Sequence, residues 1–284
     1  MSIKETLITL PQYILPHHFL SQIMSKFTHC ENNTWKNLMI SQIIKFYHVN
    51  MADAQQEDIN AYRSFNHFFT RALKDSVRPL TELKTGVACP ADGAVSQAGQ
   101  ISAGDIFQAK GKSFTVTELL GGDAQRAVPF EDGLFTTIYL SPKDYHRLHM
   151  PITGTLKEMI HIPGRLFSVN GATANSVPRL FARNERVACI FDTEIGEMAL
   201  VLVGAIFVSS VETVWHGVVT PPTIREVRSW KYTENAPMLE KGAEMGRFNM
   251  GSTIIVLFGK DKAQWLPEFV AGKSVQMGEL IGQF

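Results

Sequence analysis

Short apolar segments separated by turns are the strongest structural signal in this chain. From Gly86 onward they alternate with turns rich in glycine, proline and aspartate. One long uncharged and strongly apolar stretch is 198–211, MALVLVGAIFVSSV. As a helix it would be about 21 Å long, shorter than the ~30 Å hydrocarbon core of a membrane. Its valines, its isoleucine and Gly204 indicate a buried strand with a bend. We therefore predict a mainly antiparallel β core, either two packed sheets or a partly closed barrel.

Residues 1–60 have a different pattern, which is typical of amphipathic helices. Apolar residues follow helical spacing after Pro16, and a second such series begins at Thr34, the predicted N-cap of that helix. Ser64 is predicted to cap a short aromatic helix. The chain is thus expected to be α+β, with a helical segment 1–60 and a β-rich domain 61–284. The helices could pack on a core of their own or lie on a membrane surface.

Charge and cysteine content exclude several classes of protein. Lys+Arg and Asp+Glu are both 27, so no overall positive charge attracts nucleic acid. Cys30, Cys89 and Cys189 are far apart and odd in number, which indicates neither a disulfide framework nor a cysteine metal site. No basic segment followed by an apolar one opens the chain in the manner of a signal peptide. We expect a reducing, cytoplasmic compartment.

Gly251 and Ser252 directly precede the apolar run 254–258. The pair could simply be a turn that enters a strand. Alternatively, the serine hydroxyl could attack the carbonyl of the glycine and convert the amide into an ester, because a residue without Cβ permits a strained backbone. Elimination of the ester would leave dehydroalanine at position 252, and its hydrolysis would release ammonia and leave a pyruvoyl group.

Two histidines and one aspartate are further candidates for chemistry. His146 and His149 are three residues apart, which could hold a metal, although no HExxH or nearby carboxylate pattern supports one. Either could instead be a general base, given a carboxylate and a nucleophile elsewhere. Asp92, in Pro-Ala-Asp-Gly, could be that carboxylate or an ordinary turn residue. Spacing alone cannot place Asp92, His149 and Ser252 together.

Five motifs, taken together and in this order, resemble the phosphatidylserine decarboxylases. They are FNHFFTR at 65–71, PADG at 90–93, YLSPKDYHRLHMP at 139–151, PGRLFSVN at 163–170 and GST at 251–253. The resemblance is strong from about residue 60 to the end and looser over the N-terminal helices. Met250 stands where the family most often has leucine, a substitution that preserves volume and apolar character.

The resemblance implies a proenzyme that processes itself. Asp92 would orient His149, and His149 would take the proton of Ser252. Cleavage between Gly251 and Ser252 would give a β subunit, 1–251, and an α subunit, 252–284, with residue 252 converted to the pyruvoyl cofactor. That cofactor would form a Schiff base with phosphatidylserine, and loss of CO2 would yield phosphatidylethanolamine.

The resemblance also assigns further roles. His146 is the expected proton donor to the product, with His149 as the alternative. Phe167, Ser168 and Asn170 are expected to contact the substrate, and no metal is expected. A lipid substrate favours membrane docking by residues 1–50, and hence a peripheral protein on the cytoplasmic face of the membrane. The two subunits are expected to form a heterodimer that itself pairs into a homodimer.

Three other classes of function stay open from the sequence. The first is a pyruvoyl enzyme that acts on a soluble amino acid, against which the apolar N-terminal helices argue. The second is a non-catalytic, β-rich module that binds membranes. The third is a serine hydrolase with turnover, although no GxSxG motif is present.

Overall fold

The computed structural model describes residue 5 and residues 9–206, 210–220, 226–250 and 253–284. The α-helices, α1 to α7, are His17–Thr28, Asn33–Tyr47, Phe65–Phe69, Val116–Leu119, Ala124–Ala127, Gly171–Ser176 and Leu180–Arg183. Short 3-10 helices are Leu10–Tyr13, Met51–Asp53, Ile59–Ala61, Asp75–Val77 and Val128–Phe130.

The strands follow mainly after residue 85. Strands β1 to β9 are Gly86–Ala88, Gly93–Gln100, Asp105–Ala109, Lys112–Thr115, Leu134–Tyr139, Arg147–His149, Gly154–Ile162, Arg186–Thr193 and Gly196–Val203. Strands β10 to β18 are Ser210–Thr213, Gly217–Val218, Arg228–Lys231, Met238–Leu239, Glu244–Asn249, Thr253–Phe258, Gln264–Trp265, Ser274–Val275 and Leu280–Gln283.

A nine-stranded sheet organises the molecule, in the order β12-β7-β8-β9-β15-β5-β2-β17, with β13 also paired to β7. Strand β15 lies inside it, and all six of its residues are buried. Ile254, Val256 and Phe258 face one hydrophobic core, whereas Ile255 and Leu257 face another. Because successive side chains of a strand point to opposite faces, a sheet covered on both faces requires a continuous apolar run.

Three smaller sheets complete the β structure. They are β11-β10-β14-β6, β1-β18-β16 and the hairpin β3-β4. The pairings between the described strands are antiparallel. The predicted fold class, α+β with a mainly antiparallel core, is confirmed. The predicted strand in 198–211 is also confirmed, because β9 ends at Val203 and Gly204 follows it.

The N-terminal helices begin close to their predicted positions, with one correction. Helix α1 starts directly after Pro16, and Ser64 caps α3 by accepting the His67 N–H. Thr34 was expected to cap α2, but the cap is Asn32, whose side-chain oxygen accepts the Trp35 N–H at 3.1 Å. Asparagine and threonine are both good caps, and here the cap lies two residues earlier than expected, with Thr34 already inside the helix.

A cluster of aromatic side chains joins the helical segment to the rest of the chain. Ile40 of α2 packs with a group that we call the phenylalanine cluster, consisting of Tyr62, Phe65, Phe68 and Phe69. Ile40 precedes residue 60 and the phenylalanine cluster follows it, so the packing crosses the proposed boundary and the division into 1–60 and 61–284 stays a prediction. Among the described residues, no helix combines the length and apolar character needed to cross a membrane.

Candidate active site

His149 lies at the end of β6 and is held on three sides. Its backbone N–H donates to the Pro90 carbonyl at 2.9 Å. Its Nδ1 is 2.8 Å from the Gly242 carbonyl, and its Nε2 is 3.2 Å from the Tyr145 hydroxyl. Because a carbonyl only accepts, Nδ1 carries the proton and Nε2 has the lone pair. Burial lowers the pKa of His149, so the ring is neutral and Nε2 is a base.

Asp92 lies just before β2, and its carboxylate is oriented by other partners than His149. Arg78 donates from Nε at 2.9 Å and from Nη2 at 2.6 Å, and the Met277 N–H donates at 2.8 Å. Asp92 is only 6% exposed. Its negative charge raises the pKa of His149, although this is the smallest of the contributions. The two side chains are therefore neighbours, but the expected hydrogen bond between them is not among those formed by the described residues.

Gly93 fixes the position of Asp92 against the central sheet. A Cβ at position 93 would lie 2.3 Å from the Tyr139 carbonyl oxygen, a distance that no real side chain tolerates. Only glycine allows β2 to approach β5 this closely. Ala94 then pairs with Tyr139, and Tyr139 pairs with Thr253. Asp92 precedes Ala94 by two residues, and Ala94 lies two strands away from Thr253 in the central sheet.

Gly251 and Ser252, the predicted cleavage pair, lie outside the described residues. The residues on both sides of them are described. Met250 has φ of +95°, in the region that favours glycine, and it packs against the phenylalanine cluster. Thr253 is fully buried and begins β15, between Tyr139 and Val203. The chain therefore enters the pair through a strained residue and leaves it inside the central sheet.

His146 is fully buried, and one of its ring nitrogens has no partner. Nδ1 donates to the Asp144 carbonyl at 2.8 Å, whereas Nε2 is buried without a hydrogen bond among the described residues. The centre of its ring is 4.0 Å from that of Phe69, a member of the phenylalanine cluster. Burial, and then the charge of Arg71, lower the pKa of His146 to about 3. The ring is neutral, so Nε2 must take up a proton before it can give one.

A cleft of about 940 Å³ opens beside these residues. Asp92 and Tyr139 line it, together with the basic residues Arg71, Arg78 and Lys143. Since Tyr139 is the strand neighbour of Thr253, the cleft borders the segment that follows the predicted cleavage pair. The candidate site is therefore accessible from solvent on the β5–β2 side of β15.

The three residues expected to contact the substrate lie on the β9 side of β15. Phe167 is fully buried, and its ring meets Tyr13 and His17. The Ser168 N–H donates to Gln12 at 2.8 Å, and Asn170 caps α6 by accepting the Thr173 N–H at 3.1 Å. The side chains of Phe167 and Asn170 thus have structural contacts, and the expected substrate roles stay predictions.

Four residues of the site were not expected from the sequence, namely Arg71, Arg78, Tyr145 and Gly242. Arg71 and Tyr145 stand inside motifs, FNHFFTR and YLSPKDYHRLHMP, so the motif could have indicated them. Arg78 and Gly242 stand outside any motif. Only the tertiary structure brings the Arg78 side chain to Asp92 and the Gly242 carbonyl to His149. No group of described residues could hold a metal ion as a cluster of three His, Cys, Asp or Glu side chains.

Asp92 and Tyr145 line the cleft, and Tyr145 contacts the buried, neutral His149 behind it. Such an arrangement is typical of an enzyme site, and comparison with known proteins identifies its class as a decarboxylase, a carboxy-lyase. The family model described as phosphatidylserine decarboxylase matches residues 65–283, and a second one, described as PSD, matches residues 7–48. The chain belongs to the phosphatidylserine decarboxylase family.

Relatives of nearly equal length support this assignment. The chain is 58% identical over 282 residues to the phosphatidylserine decarboxylase proenzyme of Ectopseudomonas mendocina (strain ymp), which covers 98% of both chains. It is 59% identical over 281 residues to the proenzyme of the same name from Pseudomonas fluorescens (strain SBW25), again over 98% of both. For that of Bordetella pertussis (strain Tohama I), identity is 57% over 284 residues, covering 99% of this chain and 95% of the relative.

Proposed function

We propose that this chain is a self-processing proenzyme that becomes a pyruvoyl-dependent phosphatidylserine decarboxylase. The observation that carries the proposal is a pair of buried, neutral histidines together with the strained backbone of Met250. The Nε2 lone pair of His149 meets only a tyrosine hydroxyl, and that of His146 meets no described partner. Met250 directly precedes the pair 251–252 in the chain.

In the processing step, His149 serves as the base. It accepts the hydroxyl proton of Ser252 as the serine oxygen bonds to the Gly251 carbonyl carbon, and it returns that proton to the amide nitrogen of residue 252 as the C–N bond breaks, which leaves an ester and a free amine. Removal of a Cα proton then breaks the ester bond, which frees the carboxylate of Gly251 and leaves dehydroalanine at 252. Hydrolysis of this group releases ammonia. Nδ1 stays fixed by the Gly242 carbonyl, so the ring keeps its orientation.

A pyruvoyl group fits the described part of the site, because the buried Nε2 of His146 is an acceptor without a partner among the described residues, which a reacting molecule would satisfy. The group supplies an electrophilic carbonyl for the substrate amine and a sink for the electron pair left by loss of CO2. Because the His146 ring is neutral, it can take up a proton and return it to the carbon that loses CO2.

A phospholipid substrate requires contact with a membrane, and the N-terminal segment offers a surface for it. More than half of the exposed large apolar side chains among the described residues lie between 10 and 47. Ile14 is 89% exposed, Phe46 78% and Phe19 60%. Such a density of exposed apolar groups is typical of a membrane or protein contact. We therefore propose peripheral attachment to the cytoplasmic face of the membrane, and a homodimer of processed subunits.

The test is the mass of the purified chain under denaturing conditions. Wild-type protein should give two fragments, 1–251 and 252–284, the smaller with a pyruvoyl N-terminus that reacts with hydroxylamine. Ser252→Ala should stay a single chain of 31.7 kDa and show no decarboxylation of phosphatidylserine in mixed micelles. Ser229→Ala, an exposed serine on β12, is the matched control and should behave as wild type.

Two results would contradict the proposal. If the wild-type chain stays intact in the mass spectrum, no pyruvoyl group forms and the mechanism fails. If the chain is processed but decarboxylates free serine without lipid, the alternative of a soluble amino acid substrate is correct. Flotation with vesicles distinguishes these cases further, because only the lipid enzyme needs to bind them.

A further inference from the structure

Arg71 is a buried cation in the wall of the cleft with unused hydrogen-bond donors. The residue is 4% exposed and lines the cleft. Its Nη2 donates to the Lys143 carbonyl at 3.1 Å, and the guanidinium lies 5.3 Å from the centre of the Phe68 ring. Nε and Nη1 are buried and have no partner among the described residues. Burial lowers the pKa of Arg71 and the charges of Asp92 and Asp144 raise it, but neither carboxylate is hydrogen-bonded to its guanidinium in the described part of the chain. Burial of a charge without a directly bonded counter-ion costs several kcal/mol, so this arrangement points to an anionic ligand.

The carboxylates of the cleft are not that anion, because each already has partners. Arg78 binds Asp92 in a bidentate manner and also reaches Asp53 at 3.4 Å. Asp144 accepts from the backbone and hydroxyl of Ser141, at 2.6 and 2.7 Å. Glu279, the fourth, lies 3.4 Å from the Lys273 ammonium. The acidic side of the cleft is thus occupied.

Lys143 adds a second cation to the same wall. Its side chain lines the cleft, and its ammonium group has no ion pair with any described residue. Its backbone carbonyl accepts from Arg71, which ties the two residues together. A planar guanidinium beside a mobile ammonium is a combination suited to phosphate or carboxylate oxygens. The unpaired charge of the cleft is therefore positive.

We propose that Arg71 and Lys143 bind the oxyanion of the substrate head group, through its phosphodiester or its carboxylate. The inference rests on the proposed function, which supplies a substrate that carries both groups. The cleft borders Tyr139, the strand neighbour of Thr253, so a head group held there lies near the residue that follows position 252 in the chain. The charge of Arg71 reaches His146, so the bound anion also offsets the charge that disfavours protonation of that ring.

Soluble fragments of the head group separate the two sources of the oxyanion. Glycerophosphoethanolamine has the phosphodiester without the carboxylate, and serine has the carboxylate without the phosphodiester. Binding of each to full-length wild-type protein and to Arg71→Gln is measured by calorimetry in detergent. Loss of affinity by about tenfold or more for glycerophosphoethanolamine alone assigns the phosphodiester, and such a loss for serine alone assigns the carboxylate. Unchanged affinity for both overturns the proposal.

Further variants exclude a purely structural role for Arg71. Arg71→Lys keeps the charge and should restore part of the binding, whereas Lys143→Gln should weaken it without disturbing a buried side chain. Arg63→Gln, an exposed arginine of the same segment that does not line the cleft, is the matched control. If Lys143→Gln and Arg71→Lys both bind as wild type while Arg71→Gln does not fold, the anion site is wrong.

Kinetics distinguish failure of this inference from failure of the function. If wild-type protein decarboxylates phosphatidylserine, and Lys143→Gln and Arg71→Lys leave KM unchanged, the function stands and the anion site falls. If wild-type protein has no decarboxylase activity, yet binds a fragment through Arg71, the site stands and the proposed function falls. If the proposed function and the anion site are both correct, KM should rise by about tenfold in Lys143→Gln and Arg71→Lys, with kcat less affected.

Discussion

Arg78 is the residue on which the geometry of the carboxylate depends. Its side chain is 11% exposed and that of Asp92 8%, so this ion pair is nearly removed from water. Removal of one member of a buried pair leaves an uncompensated charge, which costs far more than the pair contributes. The structure therefore makes Arg78 the side chain that holds the Asp92 carboxylate in position.

We predict that Arg78→Met lowers the free energy of unfolding by about 3–5 kcal/mol. The measurement is urea denaturation in the Ser252→Ala background, which keeps the chain in one piece. The double variant Arg78→Met/Asp92→Leu should recover most of the loss, because it buries no unpaired charge. Single and double variants of equal stability would show that the pair has no such coupling.

His146 makes the stability of the protein depend on pH. The pKa of its ring is lowered from 6.5 to about 3 in the folded chain, whereas an unfolded chain has the ordinary value. Between these values the unfolded state takes up a proton that the native state excludes. With respect to this group, the free energy of unfolding is therefore highest above pH 6.5, and it falls as the pH is lowered toward 3.

We predict that His146 alone removes about 1.4 kcal/mol of stability between pH 7.5 and 5.5. Urea denaturation of Ser252→Ala and of Ser252→Ala/His146→Gln at both pH values isolates this contribution, because the other histidines are common to both proteins. The pH-dependent loss should be smaller in the His146→Gln protein. Equal losses in the two proteins would contradict a buried, neutral His146.

At the scale of elements, the N-terminal segment is attached to the loop 163–170. Gln12 accepts the Ser168 N–H, and Arg165 donates to the Tyr13 carbonyl at 2.8 Å. His17 accepts the Leu166 N–H through Nδ1, at 3.3 Å. The segment expected to meet the membrane thus holds the loop expected to meet the substrate, so that order in one supports order in the other.

We predict that Gln12→Ala loosens this loop, because the buried Ser168 N–H loses its acceptor at a cost of about 1 kcal/mol. Amide hydrogen exchange should show faster exchange at Ser168, while residues of β15 keep their protection. The exposed Gln125→Ala is the matched control and should leave the loop unchanged. Unaltered exchange at Ser168 would mean that other contacts alone order the loop.

The whole molecule has an uneven surface, with its exposed apolar side chains concentrated in residues 10–47. The opposite part, from β1 onward, buries its apolar residues in two cores on either face of the central sheet. This difference favours membrane contact by the helical segment rather than by the sheets.

We predict that Ile14→Ser/Phe46→Ser reduces binding to phosphatidylserine vesicles by at least about 100-fold, because each buried apolar side chain contributes about 1.5–3 kcal/mol. Vesicle flotation measures it, and self-cleavage should proceed as in wild type. Val270→Ser, which removes an exposed apolar residue of the β-rich part, is the control and should bind normally. Equal flotation of all three proteins would place the membrane contact elsewhere.

The amino-acid sequence was sufficient to predict the class of fold and the family. A continuous apolar run such as 254–258 can only be buried on both faces, and short runs between turns require antiparallel pairing. Asp92, His146 and His149 could be named as candidates because they stand in ordered motifs. The N-cap at Asn32 was not predicted, because asparagine and threonine are both favourable caps and the apolar spacing does not fix the first residue of a helix.

The contacts of those candidate residues become known only from the folded chain. The pairing of Asp92 with Arg78, the Gly242 carbonyl on His149 and the unpaired donors of Arg71 join residues that are distant in sequence or outside any motif. Local pattern reports the periodicity of burial, because that depends on neighbouring residues. Hydrogen-bond partners and pKa values depend on which strand ends meet, and this is fixed only when the whole sheet is assembled.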